Sequence, residues 1–184
     1  QRYPSSDKSL PARYARSISM FRKGDMKNAI PVIDSLIRDV PEDPYFWELK
    51  GQALLEGGTP AKALPPLRQA NKLLPNSGLI QILYAQALIA TESRANIRQA
   101  LNLLTLAKKT ERDSVDIYKY SALAYGYLND LPHAELATAE MAMMQGDTAL
   151  AAEKAKRVIG QFKHGSPEWI KANDILNFAN KERD

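Results

Sequence analysis

Apolar residues recur along this chain at intervals of three and four, in runs separated by short polar turns. The stretch FWELKGQALLEGG, residues 46–58, shows the unit: it begins aromatic, runs apolar at helical spacing and stops on two glycines. A 3.6-residue period puts such positions on one face of a helix, which can then bury a stripe. The pattern predicts ten helices, roughly over 10–23, 26–39, 44–57, 60–74, 78–91, 97–109, 114–128, 131–145, 148–162 and 167–181. The turns carry matching chemistry. Asp25, Thr59, Asn96, Asp130 and Asp147 stand one per turn, all types that accept a hydrogen bond from the free N–H groups of a helix start. Gly24, Gly58 and Gly146 precede three of them, where the preceding helix can end with positive φ. Pro60 follows Thr59 at the first helical position, where a missing N–H costs nothing. Pro31, Pro65 and Pro66 fall inside predicted helices. Each removes a backbone bond and crowds the carbonyl four residues back, so a bend or an interrupted helix is expected there. Residues 1–9 read as a linker.

The runs repeat. Ala63 lies 34 residues after Ala29, Pro75 after Pro41, Leu67 after Ile33, Ala70 after Leu36 and Pro65 after Pro31. Two helical patterns in a 34-residue unit resemble the tetratricopeptide repeat, or TPR. In the second unit Trp47, Gly51, Leu54, Ala63, Leu67, Ala70 and Pro75 fall on that family's pattern of large and small positions. Small residues at Gly51 and Ala63 let two helices approach, and Trp47 and Leu54 fill the space beside the contact. Ala100 comes 37 residues after Ala63, Ala134 returns to a spacing of 34, and Ala151 follows after only 17. The array therefore slips by half a unit, and the helix over 131–145 closes one pair and opens the next. The fold class expected is all-α: a TPR right-handed superhelix of about ten antiparallel helices over 10–184. Its repeats fall at about 10–41, 44–75, 78–112 and 114–145, followed by a half-slipped pair at 148–181.

Composition narrows the function. The 184 residues are 45% hydrophobic and 25% charged, ordinary for a globular protein. No apolar run approaches the roughly 18 residues that a membrane-spanning helix needs. The chain starts at Gln1, so an excised or processed form is expected. With no cysteine, disulfide and thiol chemistry are excluded. The net charge is +4, and the excess gathers at the N-terminal end on Arg2, Lys8, Arg13, Arg16, Arg22 and Lys23. A nucleic-acid surface spreads its basic residues along a face, with aromatics between them. This end reads instead as a solvated basic helix, or as a contact with lipid headgroups or an acidic neighbouring domain.

Catalytic and metal motifs are absent. His133 and His164 are far apart in sequence, and no HExxH, cysteine pair or glycine-rich phosphate loop occurs. Both histidines read as surface groups near loops. Met141, Met143 and Met144 suit either a core filler where the register slips or a partner groove. No catalytic residue, cofactor or metal is assigned to these residues.

The first helix of each TPR pair lines an inner, concave face. The positions expected there are Tyr14, Ile18 and Phe21; Tyr45, Glu48, Gln52 and Leu55; Ile82, Gln86 and Ile89; Lys119, Leu123 and Tyr127. This mixed apolar, amide and aromatic surface suits a peptide or helix lying in a groove. The same face could instead be covered by the chain's own terminal helices or another domain.

A narrower resemblance rests on LPARYARSISMFRKGDMKNAI, PEDPYFWELKGQALLEGG and AKALPPLRQANKLLPNSGLIQILYAQALIAT, and on the later stretch from SALAYGYLND to GSPEWIKANDIL. These resemble the C-terminal TPR region of the BepA/YfgC-like periplasmic zinc metallopeptidases of Gram-negative bacteria. The resemblance implies a parent with an HExxH protease domain ahead of this one, with zinc expected only in that missing domain. It implies a periplasmic location and contacts with the protease domain and with outer-membrane assembly machinery. The implied function is non-catalytic, in the assembly and quality control of outer-membrane proteins. A free-standing TPR scaffold or adaptor in cell-envelope assembly is the alternative. Neither reading places nucleic acid or a transmembrane segment in this chain.

Overall fold

A computed structural model of the protein describes residue 4 and residues 6–181. Residues 1–3 and 5 of the expected linker, with Arg2 among them, and residues 182–184 of the expected repeat domain lie outside the described residues. The described residues form ten α-helices: α1 Leu10–Arg22, α2 Met26–Asp39, α3 Pro44–Glu56, α4 Pro60–Leu73, α5 Gly78–Ile89, α6 Arg94–Ala107, α7 Val115–Leu128, α8 Leu131–Met144, α9 Thr148–Val158 and α10 Pro167–Lys181. A 3₁₀ turn, Ile159–Gln161, extends α9, and no strand occurs among the described residues. The helix periodicity of the sequence is thus the helix content of the structure.

The turn chemistry explains most boundaries. Asp25, Asp130 and Asp147 each accept a hydrogen bond from a backbone N–H in the first turn of the following helix, donated by Asn28, His133 and Leu150. Gly24, Gly58 and Gly146 have φ of 74°, 73° and 78°. Asn129, at φ 62°, does the same work before Asp130. Thr59 precedes α4, but its hydroxyl donates back to the Leu54 carbonyl at 2.8 Å and leaves α4 uncapped. Asn96 is not a cap at all. The helix α6 starts three residues before the predicted 97, with Ser93 at its N-cap, and Glu92 at φ 56° supplies the left-handed residue. Asp43 and Ser77 cap α3 and α5 as well. The helices α2 and α4 run through Pro31, Pro65 and Pro66, so no interruption occurs.

The chain separates into two compact units, the first ending at Thr91 and the second starting at Glu92. In the first, α2 and α3 build a core from Ala29, Ile33, Ile37, Leu49 and Ala53, with Phe21 of α1 and Trp47 of α3 packed against it. Gly51 of α3 is buried against the Leu67 side chain of α4, which fills the space that a larger residue at 51 would need. Arg13 ties α1 to α2: its guanidinium donates to the Ser35 hydroxyl at 3.0 Å and pairs with Asp39. The helix α5 is apolar almost all round and is buried on most of its positions, as such helices must be.

In the second unit the core is alanine-rich. Ala139 and Ala142 of α8, Ala151 and Ala155 of α9 and Ala172 of α10 surround Leu136, Val158 and Ile175. The helix α8 packs on both α7 and α9. Met143 packs against this core and Met144 is exposed, so the methionines are divided between filler and surface. The second unit gives a direct test of capping. Asp147 accepts from the Leu150 N–H at 2.9 Å, and Asp147→Ala is expected to cost about 1 kcal/mol. Urea unfolding of the two proteins measures it, and Asp147→Asn, which keeps an acceptor oxygen in place, is expected to retain most of the parent's stability.

Candidate partner-binding site

The repeat pattern places an inner surface on α1, α3, α5 and α7, and the structure sorts its residues. In the first unit Tyr14 and Tyr45 are exposed, at 40% and 55%. The Tyr14 ring lies 5.9 Å from that of Phe46, tilted by 44°. Glu48, Gln52, Leu55 and Gln86 are half-buried. Burial pushes the Glu48 carboxyl above its usual range, because low dielectric disfavours the charged form. The Gln52 amide donates to Glu56 at 3.0 Å.

Four of the expected positions are less available. Ile82 and Ile89 are buried, at 7% and 2% exposure. They sit on α5, whose apolar character on every face leaves no polar side to turn outward. Ile18 and Phe21 are half-buried and pack against the first unit's core, so Phe21 is a core residue more than an anchor. The basic end is also partly spent within the chain. Arg13 is engaged by Ser35 and Asp39, and the Arg16 guanidinium donates to the backbone carbonyls of Pro4 and Asp7. Arg22 and Lys23 remain exposed.

In the second unit Lys119, Leu123 and Tyr127 of α7 are exposed. Lys119 lies 3.9 Å from Asp116 and 5.2 Å above the Tyr120 ring. The Tyr127 hydroxyl donates to Glu92 at 3.1 Å, and that hydrogen bond with the Glu92 charge raises the phenol above its ordinary range. The ring itself stays 42% exposed.

His133 departs from the surface reading. Its ring stacks on Tyr125 at 5.0 Å, meets Phe162 edge-on at 5.3 Å, and puts Nδ1 2.8 Å from Asp130 Oδ1. The reason is local: Asp130 caps α8 three residues before His133, which brings the carboxylate to the imidazole. His164 is exposed, its ring 4.2 Å from that of Trp169. Among the described residues no group of three or more His, Cys, Asp or Glu could hold a metal ion. No described helix is long and apolar enough to cross a membrane.

The second unit also holds a cavity of about 180 Å³ that no short motif in the sequence foretells. Leu104, Ile117 and Leu136 supply apolar wall, and Tyr118, Ser121 and Tyr125 of α7 supply hydroxyls. Lys108 at the C-cap of α6, Glu140 of α8, and Glu168 and Lys171 of α10 bring charge to it. Burial pushes the Tyr125 phenol up, with the Asp130 and Glu168 charges adding to it. Beside Glu140 a shallower, mostly apolar groove runs over Met143, Met144, Ile175 and Phe178.

Residues 14–77 match the tetratricopeptide repeat family. Over 64 residues the chain is 31% identical to DnaJ homolog subfamily C member 3 of Gallus gallus, a match that takes in 35% of this chain and 13% of that protein. The chain thus spans only a small part of that relative's length. Among solved structures it resembles MamA (residue 41 to the end) from Desulfovibrio magneticus RS-1. The TM-score there is 0.70 at 16% identity, covering 97% of this chain and 98% of that one. It also resembles a thermophilic TPR protein of Thermus thermophilus, with TM-score 0.59 and 15% identity over 92% and 100% of the two chains. The chain has the all-helical TPR fold. Arrays of this kind are protein–protein interaction scaffolds, each repeat presenting side chains that its neighbours leave uncovered.

Proposed function

We propose that this chain is a non-catalytic interaction domain that holds segments of partner polypeptides on exposed aromatic side chains of its TPR hairpins. The observation that carries this reading is the exposure of Tyr14 and Tyr45 in one unit and of Leu123 and Tyr127 in the other, all on first helices of pairs. Large apolar side chains left open on a scaffold of this kind are binding candidates.

Within that reading, the stretches PYFWELKGQALLE and GSPEWIKANDIL favour a parent of the BepA/YfgC-like type. The chain would then serve a periplasmic zinc metallopeptidase in outer-membrane protein assembly and quality control. Its partners would be the adjoining protease domain and the assembly machinery, and the chemistry would belong to that other domain. A second reading is a free-standing scaffold in envelope assembly.

The gene sequence upstream of Gln1 separates the two. An HExxH motif there supports the first, and a signal peptide ending just before Gln1 supports the second. Co-purification of this chain with a separately expressed protease domain tests the first reading directly. Absence of any complex at micromolar concentrations would overturn it.

A further inference from the structure

Glu48 of α3 has Tyr45 one turn before it and Gln52 one turn after. Spacings of three and four residues put all three on one face of the helix. The repeat sets the neighbours on the flanking first helices: Tyr14 of α1 lies 34 residues before Glu48, and Ile82 of α5 lies 34 after it. The packing agrees. The Tyr14 ring meets that of Phe46, in the turn of α3 that also holds Tyr45 and Glu48, and α3 touches α5. Glu48 is half-buried, yet among the described residues no hydrogen bond or ion pair engages its carboxylate. The cations of this unit are placed elsewhere. Lys50 pairs with Asp34 at 2.7 Å. Arg13 is held by Ser35 and Asp39, and Arg16 donates to the Pro4 and Asp7 carbonyls. The exposed Arg22 and Lys23 lie about two turns along α1 from Tyr14. The helix α5 carries no charged residue. Burial acts on the Glu48 carboxyl without any offsetting charge, so the anion has lost part of its water and gained no partner.

A cation brought to this carboxylate meets an attraction stronger than in bulk water, and part of the desolvation is already complete in the folded chain. The aromatic groups favour the same sign. Tyr14 and Tyr45 are exposed, and the faces of such rings attract ammonium and guanidinium groups. Lysine and arginine also lay their methylene stems along apolar surface while the charged head stays at a polar site. We propose that the inner face of the first unit receives a lysine or arginine side chain of a partner polypeptide, its head on the Glu48 carboxylate and its stem across Tyr14 and Tyr45. The proposal rests on the reading of the chain as an interaction scaffold. It adds a charge requirement for the bound segment: a basic residue must accompany whatever apolar groups meet the exposed tyrosines.

The test titrates the full chain, isotope-labelled, with three capped tripeptides followed by NMR: Leu-Lys-Leu, Leu-Gln-Leu and Leu-Glu-Leu, each N-acetylated and C-amidated. The lysine peptide should shift the Tyr14, Tyr45 and Glu48 signals saturably. The glutamine peptide should bind about tenfold more weakly, the loss of one charge-assisted hydrogen bond. Glu48→Gln should abolish that preference. It also removes a half-buried charge, so its melting midpoint should equal or exceed the parent's, and lost binding is then not lost structure. Glu48→Lys should reverse the preference in favour of the glutamate peptide, which loss of structure would not do. Equal affinity of the parent for the lysine and glutamine peptides, or a preference for lysine that survives Glu48→Gln, would overturn the proposal. So would tighter binding of the glutamate peptide to the parent. Self-association of the parent that Glu48→Gln abolishes would make a second copy the occupant and overturn the assignment to another polypeptide. Partner capture that Glu48→Gln leaves at full strength would sink the charge requirement and leave the scaffold standing.

Discussion

Gly51→Leu is expected to destabilise the first unit by about 3 kcal/mol or more, at or above the upper end of the usual range for an overpacked core. A Cβ placed on Gly51 would run into Leu67 Cγ and lie 2.5 Å from Leu67 Cδ2. Leu67 has 0% exposure and is packed on every side, so it cannot swing away. Even Gly51→Ala meets this contact. It gains only about 0.5–1 kcal/mol of helix propensity and is expected to lose on balance. Gly126 is the control. It lies in α7 with nothing within 4 Å of its added Cβ, so Gly126→Ala should raise the melting midpoint slightly. The pair also predicts non-additivity. Leu67→Ala alone opens a cavity costing about 2–5 kcal/mol, yet combined with Gly51→Leu the new side chain can occupy that space. The double variant should therefore be more stable than the sum of the singles by about 0.5–3 kcal/mol. Equal midpoints for Gly51→Leu and the parent would mean that α3 and α4 do not meet as described.

This contact was legible in the sequence because it is local. Gly51 and Leu67 belong to one hairpin, and the repeat spacing of Ala29, Ala63 and Ala100 sets which positions must be small. The turn residues were legible for the same reason, since Asp25, Asp130 and Asp147 bond to N–H groups three residues on. The insertion before α6 broke this logic. With three extra residues in the turn, Ser93 and Asn96 both had the right chemistry, and only the backbone at Glu92 decided between them.

Exposure was harder to read than position. A repeat pattern says which face a residue occupies, but Ile82 and Ile89 lie on a helix with no polar face, and no period distinguishes groove from core there. The cavity was least visible. Lys108, at the C-cap of α6, and Glu140 of α8 stand 32 residues apart, close to one repeat period, and Lys171 follows at a similar distance. A search for charged residues at near-repeat spacing could have found them. A search for short motifs could not, because the charges meet only through helix packing.

The aromatic reading gives the second large expected effect. Tyr45→Ala combined with Tyr127→Ala is expected to weaken partner capture at least tenfold. Aromatic anchors of interfaces cost about 2 kcal/mol or more on truncation, and 1.4 kcal/mol is already a factor of ten. These two tyrosines are chosen because both are exposed, at 55% and 42%, so their loss leaves little internal void. Phe21 would be a poor choice. It packs against the core around Ile33 and Leu49, and its truncation would lower stability by about 3–5 kcal/mol and confuse binding with folding. Far-ultraviolet circular dichroism of the double variant should match the parent, since neither open ring fills space between helices. Lys62→Ala, on the exposed side of α4, should change nothing. Titrations against the protease domain of the proposed parent and against an unfolded outer-membrane protein distinguish the two proposed classes of partner. A loss confined to one of them assigns the aromatic surface to that partner. Binding through the tyrosines should persist in high salt, because it does not rest on exposed charges. If the double variant captures both partners as well as the parent does, the tyrosines are not the anchors, and the exposed Arg22 and Lys23 become the groups to change next.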